Sequence, residues 1–250
     1  MARRTVLGVD LASAAWASNG TAVLTFDEGR VLEVTPGAIA WPAAPLTARA
    51  LAQAIDGFAR ERKVCCIALD GPHAWRDPET PAELPGVGRR SEYLCRTQGK
   101  TGAYPKTYPG NQRPWIEHCI DVFTALLEQQ GVVLQERLGA VVGGYGVIET
   151  YPTAVWRQSG LVPLPSKAKK PKLAGFARAL SAAFTLPAFN ATSHDDLQAV
   201  AAGLCAVGAA GGPARATALG EPCKTIAHGS GVLRVEGYIW TARPPGAAIE

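Results

Sequence analysis

No window of the 250-residue sequence approaches the roughly 18 consecutive apolar residues of a membrane-spanning helix, so an integral membrane protein is not expected. Met1-Ala2-Arg3-Arg4 runs directly into a strand-like segment with no signal-peptide core, and a cytoplasmic protein is the expectation. The six cysteines include no Cys-x-x-Cys pair. Cys65 and Cys66 are adjacent in a buried-looking run and the others are scattered, which argues for reduced thiols and against a disulfide or zinc framework. Charge is also sparse: 18% charged residues and a net charge of +4 fall well short of a dense basic surface, although they are compatible with a polyanionic partner. Hydrophobic residues make up 47% of the chain, enough to bury the core of one elaborated α/β domain over 1–250.

What is present is a repeated grammar. Val6-Leu7-Gly8-Val9-Asp10 is an apolar run ending in a carboxylate, as is Val64-Cys65-Cys66-Ile67-Ala68-Leu69-Asp70; Tyr145-Gly146-Val147-Ile148-Glu149 repeats it a third time. Such runs belong in the middle of a sheet, and the acid at the end of each is carried to the rim. If the three strands are neighbours, the three acids converge.

After Asp10 a turn of small residues leads to the alternating run Thr21–Phe26, and Asp27-Glu28-Gly29-Arg30 is a hairpin signal before Val31–Val34. Thr47 to Arg62 carries Leu51, Ile55 and Phe58 at helical spacing and feeds the second acid-tipped strand, which favours parallel pairing. From about 71 to 113 the pattern breaks down. The segment holds Pro72, Pro78, Pro81, Pro85, Pro105 and Pro109 and reads as a long inserted loop over the rim. Its Arg89, Arg90 and Lys100 are candidates to bind a phosphate backbone, and His73 lies just beyond Asp70. Further helices are predicted over Pro114–Gln130 and Leu173–Ala183, the latter after the basic stretch Ser166–Lys172, and a weak strand around Gly131–Leu138 precedes the third acid-bearing run. Thr192-Ser193-His194-Asp195-Asp196-Leu197 opens a nearly all-apolar helix with Ser193 as N-cap and two acids in the first turn. The chain loosens at 208–212 and continues as a C-terminal extension to 250, with a strand or packed tail over 231–240.

Asp10, Asp70, Glu149 and the pair Asp195/Asp196 thus lie on separate elements that could meet. Carboxylates gathered so closely repel one another unless one is protonated or a cation joins them. Hard divalent ions such as Mg²⁺ or Mn²⁺ take oxygen ligands of this kind, and such a centre can activate water against a phosphodiester. His194, beside the acids, could touch a phosphate or carry a proton.

The order of these residues resembles the ribonuclease H-like superfamily. More closely, Gly-Val-Asp on the first strand, Ala-Leu-Asp-Gly-Pro on the fourth, Glu-Thr-Tyr-Pro on the fifth and His-Asp-Asp-Leu at the late helix resemble domain-of-unknown-function family 429, described as predicted ribonuclease H-like nucleases. The resemblance implies a mixed five-stranded sheet, three strands antiparallel and then two parallel to the first, flanked by helices. It also implies a metal-dependent nuclease site on nucleic acid: Asp10 as the central ligand, Asp70 and Glu149 flanking it, and Asp195 or Asp196 supplied by the helix. One departure is Gln198, where such sites tend to place a further carboxylate. Two alternatives stay open: an ATP-binding protein of the actin and sugar-kinase type, whose phosphate turns favour Gly and Thr where this chain has Leu11-Ala12-Ser13-Ala14-Ala15, and a non-catalytic ribonuclease H-like binding protein whose metal site has decayed.

Overall fold

A computed structural model describes residues 2–43, 45–80 and 87–246; Pro81 and Pro85 of the expected loop and the last four residues of the C-terminal extension lie outside the described residues. Three strands come first, β1 (Arg4–Asp10), β2 (Gly20–Phe26) and β3 (Val31–Pro36), joined as an antiparallel meander. Asp27 makes the second turn, its carboxylate accepting the Gly29 and Arg30 amides at 2.9 Å. Helix α1 (Ala48–Glu61) begins where Thr47 Oγ1 accepts the Ala50 amide, and it buries the stripe Leu51, Ala52, Ile55 and Ala59. Strand β4 (Val64–Asp70) then pairs with β1 in parallel, with Asp10 opposite Asp70.

The expected irregular segment contains a short helix, α2 (Arg90–Cys95), and a small hairpin, β5 (Lys100–Thr101) with β6 (Thr107–Tyr108). Helix α3 (Arg113–Leu127) follows with Pro114 in its first turn, then β7 (Val132–Leu134), β8 (Tyr145–Thr150), α4 (Pro152–Gln158), α5 (Leu173–Phe184) and α6 (His194–Ala209). The chain closes with β9 (Arg215–Leu219), a hairpin of β10 (Cys223–His228) and β11 (Gly231–Glu236), and β12 (Ile239–Arg243).

The main sheet runs β3-β2-β1-β4-β8-β12-β9, with β7 also on β8. Its first five strands have the expected directions, but the sheet has eight strands rather than five. The reason lies in β8, which is buried along its whole length and would leave a row of unpaired amides and carbonyls at its far edge. Val132–Leu134 covers the first half of that edge, and Ile239 and Trp240 cover Glu149 and Thr150. This is a mixed α/β architecture compatible with a ribonuclease H-like fold. Among the described residues no helix is long and apolar enough to cross a membrane, and all six cysteines are free thiols.

One face of the sheet is covered by α6, with α5 packed beyond it, and the opposite face by α1 and α3. Every residue of α6 from Asp195 to Ala209 is buried. Its run of alanine and glycine has a steric cause: a Cβ on Gly8 would stand 2.0 Å from the Ala199 carbonyl oxygen, so helix and strand backbones ride directly on each other. A similar approach at Gly20, where a Cβ would meet the Asp195 carbonyl carbon at 2.1 Å, seats the first turn of α6 on β2 directly across from Asp10.

Candidate functional site

The register of the central strands decides which acids share a face. Asp10 pairs with Asp70 and Asp70 with Thr150, whereas Glu149 pairs with Leu69. Side chains alternate along a strand, so Asp10, Asp70 and Thr150 point to the α6 side and Glu149 to the α3 side. Thr150 shows this directly, its Oγ1 lying 3.0 Å from Cys205 Sγ on α6.

On the α6 side, one donor atom from each of Asp10, His194 and Asp195 lies within 4.8 Å of the others. Burial, reinforced by the charges of Asp70 and Asp195, pushes the Asp10 carboxyl well above the usual carboxylate range. Asp70 is pushed up to about 8, by burial first and then by the charge of Glu149. Asp195 is itself desolvated, but bonds from His194 and Lys167 outweigh that and keep its carboxyl low. Lys167 sits on a single helical turn before α5 and places its ammonium on Asp195 Oδ2. His194 Nε2 donates to the Pro165 carbonyl at 2.9 Å, and Nδ1 lies 3.3 Å from Asp195 Oδ1. With Nε2 committed to the carbonyl, Nδ1 meets the Asp195 carboxylate through its own proton or through a shared cation.

Asp196 turns away. Its Oδ1 accepts the Thr21 amide at 3.1 Å and its Oδ2 accepts the Ser193 and Thr192 hydroxyls, while Ser193 Oγ in turn caps the Asp196 amide. Successive helix positions diverge by about 100°, which is how one acid of the pair staples α6 to β2 and the other faces Asp10. Gln198, one turn on, accepts the Trp156 indole N–H on its side-chain oxygen at 3.0 Å.

Glu149 lies in a different setting. Arg89, with no exposed surface, holds both of its oxygens, and His73 donates its amide at 2.9 Å and approaches the same carboxylate with Nδ1 at 2.6 Å. Burial alone would raise Glu149, but the guanidinium and His73 overcome that and hold it at about 2. Arg89 also meets Glu92, whose carboxylate accepts the Arg89 and Thr101 amides. Arg89 further donates to the Glu236 carbonyl at the end of β11. The network therefore ties the inserted segment and the C-terminal hairpin to the sheet.

The remaining candidates are placed as follows. Arg90 is half exposed, 3.8 Å from Glu221, and Lys100 directs its ammonium inward to the Glu92 carbonyl and Thr97 Oγ1 at 2.9 and 2.8 Å. Arg89 is an interior group rather than one presented to a phosphate backbone. Lys167 and the Pro165 carbonyl belong to the site but were not singled out from the sequence. A charge run preceding a helix gave no sign that its first lysine reaches an acid 28 positions later.

No family model matches the chain, and neither does any curated protein. Two solved structures are similar to it. RuvC of Thermus thermophilus shares 14% identity at a TM-score of 0.36, covering 81% of this chain and 94% of that one. T. thermophilus RuvC in complex with a Holliday junction substrate shares 14% at 0.33, covering 82% and 94%.

Proposed function

We propose that the protein is a divalent-metal-dependent phosphodiesterase acting on nucleic acid, with Asp10, Asp195 and His194 as the ligand set and Asp70 beside them. The observation that carries this reading is the meeting of two carboxylates and an imidazole within 4.8 Å, with the Lys167 ammonium on the edge of the group. The donor set suits a hard cation: carboxylate oxygens from two elements and an imidazole whose second nitrogen is fixed by a carbonyl, an arrangement that orients metal-bound histidines. A bound Mg²⁺ or Mn²⁺ would polarise a phosphoryl oxygen and lower the pKa of water. The chain's own groups do the positioning. Pro165 fixes the His194 tautomer, Asp196 and Gly20 seat the helix turn that carries Asp195, and Arg89 with His73 neutralises Glu149 one strand away. Because Gln198 is committed to Trp156 and Glu149 to Arg89, we propose one ion rather than two.

The ATP-binding alternative has less to stand on. In the turn after β1 the Ala12 amide is already taken by Asn19 Oδ1 at 2.9 Å, where a phosphate cradle needs free amides. The decisive experiment is calorimetry with Mn²⁺ on the wild type and Asp10→Asn, alongside labelled RNA, DNA, hybrid and branched substrates. Saturable binding and cleavage that both vanish in Asp10→Asn are expected. Absent Mn²⁺ binding, or activity equal in the two proteins, would overturn the reading.

A further inference from the structure

Next to the acids, at the C-terminal ends of β4 and β8, lies a cavity of about 200 Å³. Asp70 and Thr150 border it, Gln98 and Gln112 line it from the inserted segment, and Trp115 and Tyr151 flank it. An apolar cavity of about 150 Å³ accommodates one benzene ring, so this one has room for a single planar heterocycle with its substituents.

Its chemistry is selective. Among the described residues it is lined by Asp70, Glu92 and Glu149 and by no lysine or arginine, so it disfavours a phosphate. The Trp115 ring is fixed by its indole N–H, which donates to the Leu11 carbonyl at 3.0 Å, and it offers an aromatic surface for stacking. Gln112 Oε1 has no hydrogen-bond partner and is packed against Gly99, where a Cβ would stand 2.0 Å from it, so a base reaches that oxygen only when the side chain turns into the cavity; Gln98 is exposed at the rim. A buried acceptor left unpaired costs free energy until something donates to it. An amide offers both a donor and an acceptor, and this pairing matches the edge of a nucleobase.

We propose that this cavity binds one unstacked nucleobase of the substrate, with Gln112 and Gln98 meeting its polar edge and Trp115 its face. The proposal rests on the nucleic-acid reading of the neighbouring acids and adds a base-recognition subsite to it. A base held here would lie next to Asp70, the strand partner of Asp10, which places its own backbone phosphate toward the candidate metal ligands.

The test needs neither metal nor cleavage. Ligand-observed NMR titrations would be run with adenosine, guanosine, cytidine, uridine and thymidine, with ribose and spermidine as controls, on the wild type, Gln112→Ala and Gln98→Ala. At least one nucleoside is expected to bind in the millimolar range, both variants to weaken it about tenfold or more, and ribose not to compete. Gln98 is exposed and unbonded, so Gln98→Ala keeps the fold and the test remains decisive if Gln112→Ala does not fold. No nucleoside binding, binding unchanged in the variants, or binding of spermidine in place of nucleosides would overturn the proposal. Nucleoside binding in a protein that shows no Asp10-dependent Mn²⁺ binding would instead overturn the metal reading and leave the base subsite standing.

Discussion

Glu149 on β8 and Asp70 on β4 lie one strand apart at the same end of the sheet, yet their surroundings are opposite. Glu149 receives Arg89 on both oxygens and His73 on one, and sits at about 2; Asp70 receives no hydrogen bond among the described residues and sits at about 8. The first has had its charge cancelled from inside the protein and acts as part of the frame. Asp70, with Asp10, lies in a group whose charge the chain balances incompletely, which is the condition under which a cation adds stability rather than disturbing it.

Breaking the satisfied half should have the largest effect. Arg89→Met leaves Glu149 and Glu92 buried without their common partner, and loss of one member of a buried ion network costs about 3–5 kcal/mol. Chemical denaturation of wild type and variant would measure it. A loss below about 1 kcal/mol would mean that the network is not what holds the inserted segment to the sheet.

The second contrast separates the two acids by metal affinity. Asp195→Asn should weaken Mn²⁺ binding by more than about 100-fold, beyond the range typical of groups that merely orient ligands. Glu149→Gln, read by the same calorimetry, should change it by less than about tenfold, or 1.4 kcal/mol. Equal losses in the two variants would place Glu149 among the ligands after all.

A third contrast is in pH. The Asp70 carboxyl is raised from 3.8 to about 8, so the folded state holds its proton more tightly than the unfolded chain does. Its contribution is therefore fully present below about 3.8 and is lost as pH rises through 8. Glu149 has the opposite sign: its contribution is present above 4.5 and is lost as pH falls through about 2. Asp70→Asn should accordingly melt higher than wild type at pH 8.5, by roughly 2–4 °C per kcal/mol recovered, and match it near pH 4. A difference in melting temperature that does not change with pH would remove the buried-proton account.

How far the sequence could reach follows the same division. Helices α1, α3, α5 and α6 were legible because apolar spacing, Ser193 as a cap and Pro114 in a first turn are local signals. The first five strands of the sheet were legible as apolar runs, and the directions of β1 to β4 from short links, whereas the parallel direction of β8 was implied by the family resemblance. The parity of Glu149 was not. Its run ends one residue after the acid, at Thr150, and a one-residue difference in register moves a side chain to the other face. A weak strand was legible over 131–138, where β7 lies, and a strand or packed tail over 231–240, where β12 begins; their places in the sheet were obscure because they are short and complete an edge set by β8, and β12 is buried at four of its five positions and shows no alternation. Helix α2 has only six residues and is held by Glu92 and Arg89 rather than by its own periodicity.

The smallest expected effect concerns Lys167, the cation the chain itself lends to the unsatisfied half. Its side chain is 55% exposed, so the pair with Asp195 is screened by water, and Lys167→Ala should change stability by less than about 1 kcal/mol. Metal binding is the more sensitive readout. An ammonium on Asp195 Oδ2 and a divalent ion compete for the same oxygen, so removing Lys167 should tighten Mn²⁺ binding while leaving the melting temperature nearly unchanged. If Lys167→Ala weakened Mn²⁺ binding instead, the lysine would be holding Asp195 in place for the ion. The two halves of the sheet edge would then differ less than their pKa values imply, each depending on a basic side chain to keep its acid in position.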